Sequence, residues 1–280
     1  MIKARKSLGQ NFLTDSQVAR RIIDAVAPAQ TDVIIEIGAG TGALTGMLAK
    51  KSGHLLAIEI DGRLADQLRG MSKAENVTIM TADALSVNWI ELVDSAKSRA
   101  ATASGSAESS RRVRIVANLP YYISTPIIEK LLSLQRRIFD MTLMLQAEVA
   151  DRITSEPGGK EYGYLSVLVQ YHCVATKLFE VPPDAFTPTP KVDSAVIRLR
   201  VRGEPAVKVA DERGFFALVR ACFAQRRKTI LNNLKAAAVS QGFVAPLESA
   251  LEAASVAPQR RAETLSLAEF AMLCNELYDR

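Results

Sequence analysis

Residues 33–42, Val-Ile-Ile-Glu-Ile-Gly-Ala-Gly-Thr-Gly, constrain the fold more than any other stretch of the chain. Val33–Ile37 is a short, β-branched run closed by glycine, the pattern of a strand buried on both faces. The glycines permit a tight turn and a close approach to a ligand, and the helix expected next turns its first N–H groups toward that ligand. Similar runs recur at Leu55–Ile60, Val77–Met80, Val113–Ala117 and Met141–Leu145, with helix-patterned segments such as Leu44–Lys51, Leu64–Met71 and Pro126–Leu134 between them. Strands alternating with helices predict an α/β fold with a mostly parallel, doubly wound sheet. Two later runs, Tyr164–Val174 and Val192–Val201, lack a comparable helix between them, and Pro182, Pro183, Pro188 and Pro190 punctuate the link. They are expected to pair as antiparallel strands at a sheet edge.

Between Ser95 and Arg112 the sequence is small and polar without apolar periodicity, which reads as a mobile surface insertion. After Gly203-Glu204-Pro205 only helix-patterned segments follow, at Phe215–Phe223, Thr229–Val239, Leu247–Ala254 and Leu267–Tyr278. Ser266 precedes the last of these with Glu269 three residues on, a capping-box pattern. The expected organisation is an α/β domain over residues 1–203 and a small all-helical domain over 204–280.

With 48% hydrophobic and 23% charged residues among 280, the chain has the material for a packed core. No apolar run approaches the roughly 18–20 residues of a membrane span, and the N-terminal residues lack the apolar stretch of a secretory signal. A cytoplasmic location without membrane partners is expected. Cys173, Cys222 and Cys274 are widely separated in apolar surroundings and read as reduced core thiols. His54 and His172 are the only histidines, little material for a zinc site or a histidine-centred triad, so no metal is expected. The net charge of +5 is modest but unevenly placed. Lys3, Arg5, Lys6, Arg20 and Arg21 face two acids in the first 30 residues, and Val219–Leu247 carries Arg220, Arg226, Arg227, Lys228 and Lys235 with no acid. Such blocks are either solvated helix faces or nucleic-acid contacts.

The motifs decide between these readings. The glycines at 38, 40 and 42 run GxGxG rather than the GxGxxG of dinucleotide binding, which disfavours a nicotinamide oxidoreductase. Glu59 ends the second strand of the series, 21 residues beyond Gly38, where a carboxylate can accept both hydrogen bonds of a ribose diol. Asp83 follows the third strand and can accept from an adenine amino group. Glycine turn, ribose acid and adenine acid thus fall at three successive strand ends, a constellation that resembles the class I S-adenosylmethionine-dependent methyltransferases.

Directly after the fourth strand comes Asn118-Leu119-Pro120-Tyr121-Tyr122. It resembles the signature of methyltransferases that act on amino nitrogens. An adenine N6 lone pair is delocalised into the ring, so the amine must be positioned before it attacks in line. The Asn118 side-chain oxygen and the Leu119 carbonyl can each accept an N–H, orienting the nitrogen and offsetting its developing charge. Pro120 fixes the turn. Tyr121 or Tyr122 offers a face for stacking a base that is single-stranded or flipped out. No strong general base is needed, because the nitrogen becomes acidic once the methyl arrives.

Further segments are similar to the ribosomal RNA adenine-N6,N6-dimethyltransferase family, in particular its small-subunit branch. They are Lys6-Ser7-Leu8-Gly9-Gln10-Asn11-Phe12-Leu13, the loop and strand Phe186-Thr187-Pro188-Thr189-Pro190-Lys191-Val192-Asp193-Ser194, and Phe223–Leu234, which looks like the family's basic C-terminal helix. The resemblance implies that Asn11, Leu13, Gly38, Gly40, Glu59, Ile60, Asp83, Ala84 and Asn118 line a site for S-adenosylmethionine. It implies that Tyr121 and Phe186, with Tyr122 nearby, hold the target adenine, and that Arg226, Arg227 and Lys228 contact RNA. The implied substrate is a pair of adjacent adenosines in the hairpin loop near the 3′ end of small-subunit rRNA, presented by an immature ribosomal particle to a monomeric enzyme. The alternatives are a large-subunit rRNA adenine dimethyltransferase and a catalytically silent RNA-binding or transcription-accessory protein on the same fold.

Overall fold

In the computed structural model, which describes residues 3–72, 74–104, 111–241, 243 and 245–278, a two-residue strand β1 (Phe12–Leu13) and helix α1 (Ser16–Val26) precede the glycine turn. The alternating series is β2 (Val33–Ile37), α2 (Thr45–Lys51), β3 (His54–Glu59), α3 (Gly62–Met71), β4 (Val77–Thr81), α4 (Trp89–Ser104), β5 (Val113–Asn118), α5 (Ser124–Leu132) and β6 (Asp140–Gln146). Helices α6 (Ala147–Thr154) and α7 (Tyr164–His172) follow, then strands β7 (Cys173–Val181), β8 (Phe186–Thr187) and β9 (Ser194–Val201). The chain closes with α8 (Glu212–Cys222), α9 (Ile230–Gln241), α10 (Leu247–Ala253) and α11 (Leu267–Tyr278).

Seven strands form one sheet in the order β4-β3-β2-β5-β6-β9-β7. The pairs β3/β4, β2/β3, β2/β5 and β5/β6 are parallel, and β6/β9 is antiparallel, so the expected mixed sheet with an antiparallel margin is present. Every residue of β2 and β3 is buried, so both faces of the sheet centre are covered. On one face the apolar stripe of α1, from Val18 to Val26, packs with Ile34, Leu55, Val116, Met144 and Val196. Sequence order moves outward from β2 through β3 to β4 and then restarts on the other side at β5. The carboxyl ends of β2 and β5 therefore flank a topological switch point, where ligands bind in open α/β sheets.

The chain divides into two compact units. One comprises residues up to Ala150 with Val174–Val201, and the other comprises Asp151–Cys173 with the chain from Arg202 onward. The helical unit thus begins earlier than a single cut after residue 203, because α7 supplies Val167 and Tyr171 to a core shared with Phe215, Leu218, Leu251 and Phe270. Asp211 caps α8 by accepting from the backbone N–H groups of Arg213 (2.9 Å) and Gly214 (3.0 Å). Before α11, Ser266 Oγ accepts from Glu269 N (3.2 Å) and Glu269 Oε2 accepts from Ser266 N (2.8 Å), the reciprocal pair read from the sequence.

Three local expectations are corrected. Tyr164–Val174 is not a strand: α7 occupies Tyr164–His172, and the edge strand is Cys173–Val181. Seven of the nine α7 residues are buried, and a run that is apolar on every side has no period to separate helix from strand. The Ser95–Arg112 segment is not an irregular insertion as far as Ser104, where α4 ends; Leu92, Val93, Ala96 and Ala100 form a buried stripe at helical spacing, and residues 105–110 lie outside the described residues. The basic segment Arg226-Arg227-Lys228 is not helical either. It lies in the turn between α8 and α9.

No helix among the described residues is long and apolar enough to cross a membrane. All three cysteines are buried and free, and burial pushes the thiols of Cys173 and Cys274 up to about 12.

Candidate active site

The carboxyl ends of β2, β3, β4 and β5 surround a cavity of about 200 Å³. Fourteen of the residues singled out in the sequence line it: Asn11, Leu13, Gly38, Gly40, Glu59, Ile60, Asp83, Ala84, Asn118, Leu119, Pro120, Tyr121, Tyr122 and Phe186. Arg226, Arg227 and Lys228 belong to the helical unit.

Gly38 leaves β2 with φ +72°, in the left-handed region, and a Cβ there would lie 3.4 Å from the Asn118 carbonyl oxygen. A side chain at this position would be both strained and pressed toward the adjacent loop. Glu59, 4% exposed at the end of β3, accepts from Gly40 N at Oε2 (2.8 Å) and from Asp61 N at Oε1 (2.9 Å). Each oxygen of a carboxylate has a second lone pair, so Glu59 can still accept a pair of ligand hydroxyls. Burial raises its pKa above the ordinary glutamate value, against the lowering effect of these backbone hydrogen bonds. Ile60 beside it is 47% exposed, an apolar side chain at the cavity margin suited to a planar ring. Asp83 shapes its own turn, accepting from Leu85 N (2.8 Å) and Ser86 Oγ (3.2 Å), while the Ala84 carbonyl accepts from Trp89 Nε1 (2.9 Å).

On the other side of the switch point, Asn118 ends β5 and its Nδ2 donates to the Asn11 carbonyl (3.3 Å). That contact commits the amide nitrogen as a donor and leaves Oδ1 as the acceptor of the side chain. Leu119 is buried and its N–H donates to the Met144 carbonyl (3.1 Å), which anchors the loop on β6. Pro120 begins a short turn of 3₁₀ helix, and the two tyrosines separate: the Tyr121 hydroxyl pairs with Ser194 Oγ at 2.8 Å, whereas Tyr122 is 60% exposed. Phe186, 3% exposed, pairs with Leu13 where β8 meets β1, so its ring belongs to the cavity wall.

Sequence reasoning passed over several participants. Glu36 is 2% exposed within β2, its Oε2 has no hydrogen-bond partner among the described residues, and it too lines the cavity. Burial, against the lowering effect of the neighbouring Thr45 hydroxyl and with a smaller push from Glu59, raises its pKa to about 8. A carboxylate inside an otherwise apolar strand was the available signal. Gln10 and Phe12, which the resemblance places with Asn11 and Leu13 over the methionine part of a cofactor, line the cavity, and Ser194, quoted within its motif without a role, holds Tyr121.

This cavity places Glu59 and Asp83 opposite the Asn118–Tyr121 loop across the switch point. The sequence matches the ribosomal RNA adenine dimethylase family over residues 1–277. The chain belongs to that family. Among curated relatives of this dimethylase, the "Ribosomal RNA small subunit methyltransferase A" of Shouchella clausii is 45% identical over 98% of this chain and 90% of the relative. The protein of the same name from Geobacillus thermodenitrificans is 47% identical over the same shares. Among solved structures, a dimethyladenosine transferase from Plasmodium falciparum superposes with a TM-score of 0.75 at 25% identity, covering 94% of this chain and 95% of that one. The 23S rRNA methyltransferase ErmE gives a TM-score of 0.70 at 26% identity over 95% of this chain and 99% of its own. The small-subunit relatives are thus nearer in sequence than the large-subunit enzyme, although both share the dimethylase fold.

Proposed function

We propose that the protein transfers methyl groups from S-adenosylmethionine to N6 of two adjacent adenosines in the 3′-terminal hairpin loop of small-subunit rRNA, giving N6,N6-dimethyladenosines on an immature small subunit, and that it acts as a cytoplasmic monomer. The observation that carries this reading is the convergence of Glu59, Asp83 and the Asn118–Tyr121 loop on one cavity.

The residues present fit the cofactor. The backbone approach at Gly38, the buried unpartnered Glu36 Oε2 and the remaining acceptor capacity of Glu59 suit a ligand that combines a ribose diol with a cationic amino-acid end. Glu59 would hold the ribose, Asp83 the adenine amino group, Ile60 and Ala84 the ring, and Gly38, Asn11 and Leu13 the methionine part. When bound, S-adenosylmethionine supplies an electrophilic methyl on a sulfonium. Asn118 Oδ1 and the Leu119 carbonyl accept the two N–H bonds of the target amine, turning its lone pair toward the methyl and stabilising the positive charge that grows on nitrogen. Tyr121 and Phe186 flank the flipped base. Neither histidine lines the cavity, in keeping with a transfer driven by positioning, in which the proton leaves a nitrogen already made acidic. In the helical unit, within the proposed rRNA-contacting region 204–280, Arg227 and Lys228 on the exposed α8–α9 turn would contact phosphates.

Incubating the purified protein and methyl-labelled cofactor with unmethylated small subunits, then reading the adenosines by mass spectrometry, tests the proposal. Two adjacent dimethyladenosines in small-subunit RNA are expected. Label confined to large-subunit RNA in a parallel assay would favour the reading suggested by the ErmE likeness, and no label in either would leave a silent RNA-binding protein.

A further inference from the structure

We infer that Asp61 is a positioning residue that latches an N-terminal strap, Arg5–Leu13, over the cofactor site and thereby governs how fast spent cofactor exchanges between successive methyl transfers; the inference rests on the cofactor reading given above. The strap touches the functional segments one after another. Gly9, at φ +57°, lies so close to the Tyr122 ring that a Cβ there would come within 3.1 Å of it. The Asn11 carbonyl accepts from Asn118 Nδ2 (3.3 Å), and the Phe12 ring lies 3.4 Å from where a Cβ on Gly40 would stand. Phe12 and Leu13 pair with Thr187 and Phe186. A ligand enclosed beneath these contacts leaves only when they part.

Little apolar burial holds the strap down. Between Arg5 and Leu13 only Leu13 is fully buried, and the β1/β8 ladder is two residues long. The remaining attachment converges on Asp61, the N-cap of α3, whose side chain has no exposed surface. Its carboxylate accepts from Arg63 Nη2 (2.6 Å) and Nε (3.0 Å), from Gln10 Nε2 (3.4 Å), and lies 3.5 Å from the Arg5 guanidinium. Arg5 N in turn donates to Gln10 Oε1 (2.7 Å), so the two strap residues reach Asp61 as a linked pair. The Asp61 backbone N–H is at the same time the donor to Glu59 Oε1. One residue therefore joins the strap to the carboxylate that receives the ribose.

The arrangement suits a contact that opens repeatedly. With the strap lifted, Arg63 from α3 still pairs with Asp61, so the buried carboxylate is never left alone and opening avoids the large cost of an isolated buried charge. What closure adds is the half-exposed Arg5 and the Gln10 amide, an increment of a size that salt screens. Two methyl transfers to one nitrogen require at least one exchange of cofactor, and this increment falls on that step.

The test uses Arg5→Gln, a change on an exposed side chain, and Asp61→Asn, which retains an N-cap oxygen for α3. Dissociation of S-adenosylhomocysteine is followed by stopped-flow displacement at low and high salt, with tryptic cleavage after Lys6 as a readout of strap opening. Both variants should release the ligand about three- to five-fold faster at low salt, the scale of one partly exposed ion pair. Both should lose ligand protection at Lys6, and the wild-type acceleration by salt should flatten in Arg5→Gln. Release rates and salt dependence like the wild type in Arg5→Gln, with protection intact, would overturn the latch. Absence of ligand binding by the wild-type protein would instead overturn the cofactor reading.

Discussion

At Asn118 two demands meet in one amide. Its nitrogen is spent on the Asn11 carbonyl, which leaves the oxygen as the acceptor, and in the proposed transfer that oxygen would gain most as positive charge develops on the attacking nitrogen. Asn118→Ala should therefore lower the single-turnover methylation rate by about 10²-fold or more while changing cofactor and RNA affinities far less. Equal losses in all three measurements would make the residue structural. The hydroxyl of Tyr121 presents a finer case. Its 2.8 Å contact with the buried Ser194 fixes the ring that would stack on the base. Tyr121→Phe and Ser194→Ala should each reduce kcat/KM by roughly five-fold, the scale of one hydrogen bond, and the double variant should be no worse than either alone. Additive losses would show that the two side chains act separately. Glu59, Asp83 and Asn118 were legible from sequence because each is a polar residue at a strand end. Ser194 and Asp61 were not, since their partners come from distant segments, residues 121 and 5–10.

Elements were legible where burial is one-sided or the strand alternates with an amphipathic helix. β2 to β6 and α8 to α11 lie close to where periodicity and caps put them. The exceptions are instructive. α7 is buried on nearly all sides and mimics a strand, α4 makes a core stripe from alanines that read as low-complexity linker, and α1 was passed over although Asp15 caps it through the N–H groups of Gln17 and Val18. In the α8–α9 turn the cations are not equivalent. Arg226 Nη2 donates to the Lys160 and Tyr162 carbonyls and its Nε lies 3.6 Å from Glu263, so it braces the helical unit. Arg227 and Lys228 are exposed. Arg226→Ala should accordingly lower stability by about 1 kcal/mol in a denaturation curve. The pair Arg227→Ala and Lys228→Ala should leave stability alone and reduce the salt slope of particle binding by about 1–2. A salt slope that responds only to Arg226 would reverse these assignments.

On the scale of the whole molecule, the buried carboxyl group in the cavity wall costs stability, and it does so in a pH-dependent way. Glu36 sits in the sheet centre with its pKa pushed up to about 8 by burial, so the folded protein holds a proton there at neutral pH that the unfolded chain, near the ordinary glutamate value of 4.5, has released. Between those two values the native state binds more protons, and stability falls as pH rises; the contribution is fully present below about 4.5 and is lost through about 8. Glu59 shifts in the same direction, but it is present in both wild type and a Glu36→Gln variant and cancels to first order in their comparison. Urea unfolding without cofactor should therefore show Glu36→Gln gaining on the wild type by a few kcal/mol, on the order of 3, between pH 5 and pH 8.5. The same variant should bind S-adenosylmethionine more weakly, because the amide, unlike the carboxyl, cannot release a proton to become the anion that the ligand's cationic end would favour. Parallel stability curves for the two proteins across that pH range would mean that Glu36 ionises in the fold as freely as it does in water.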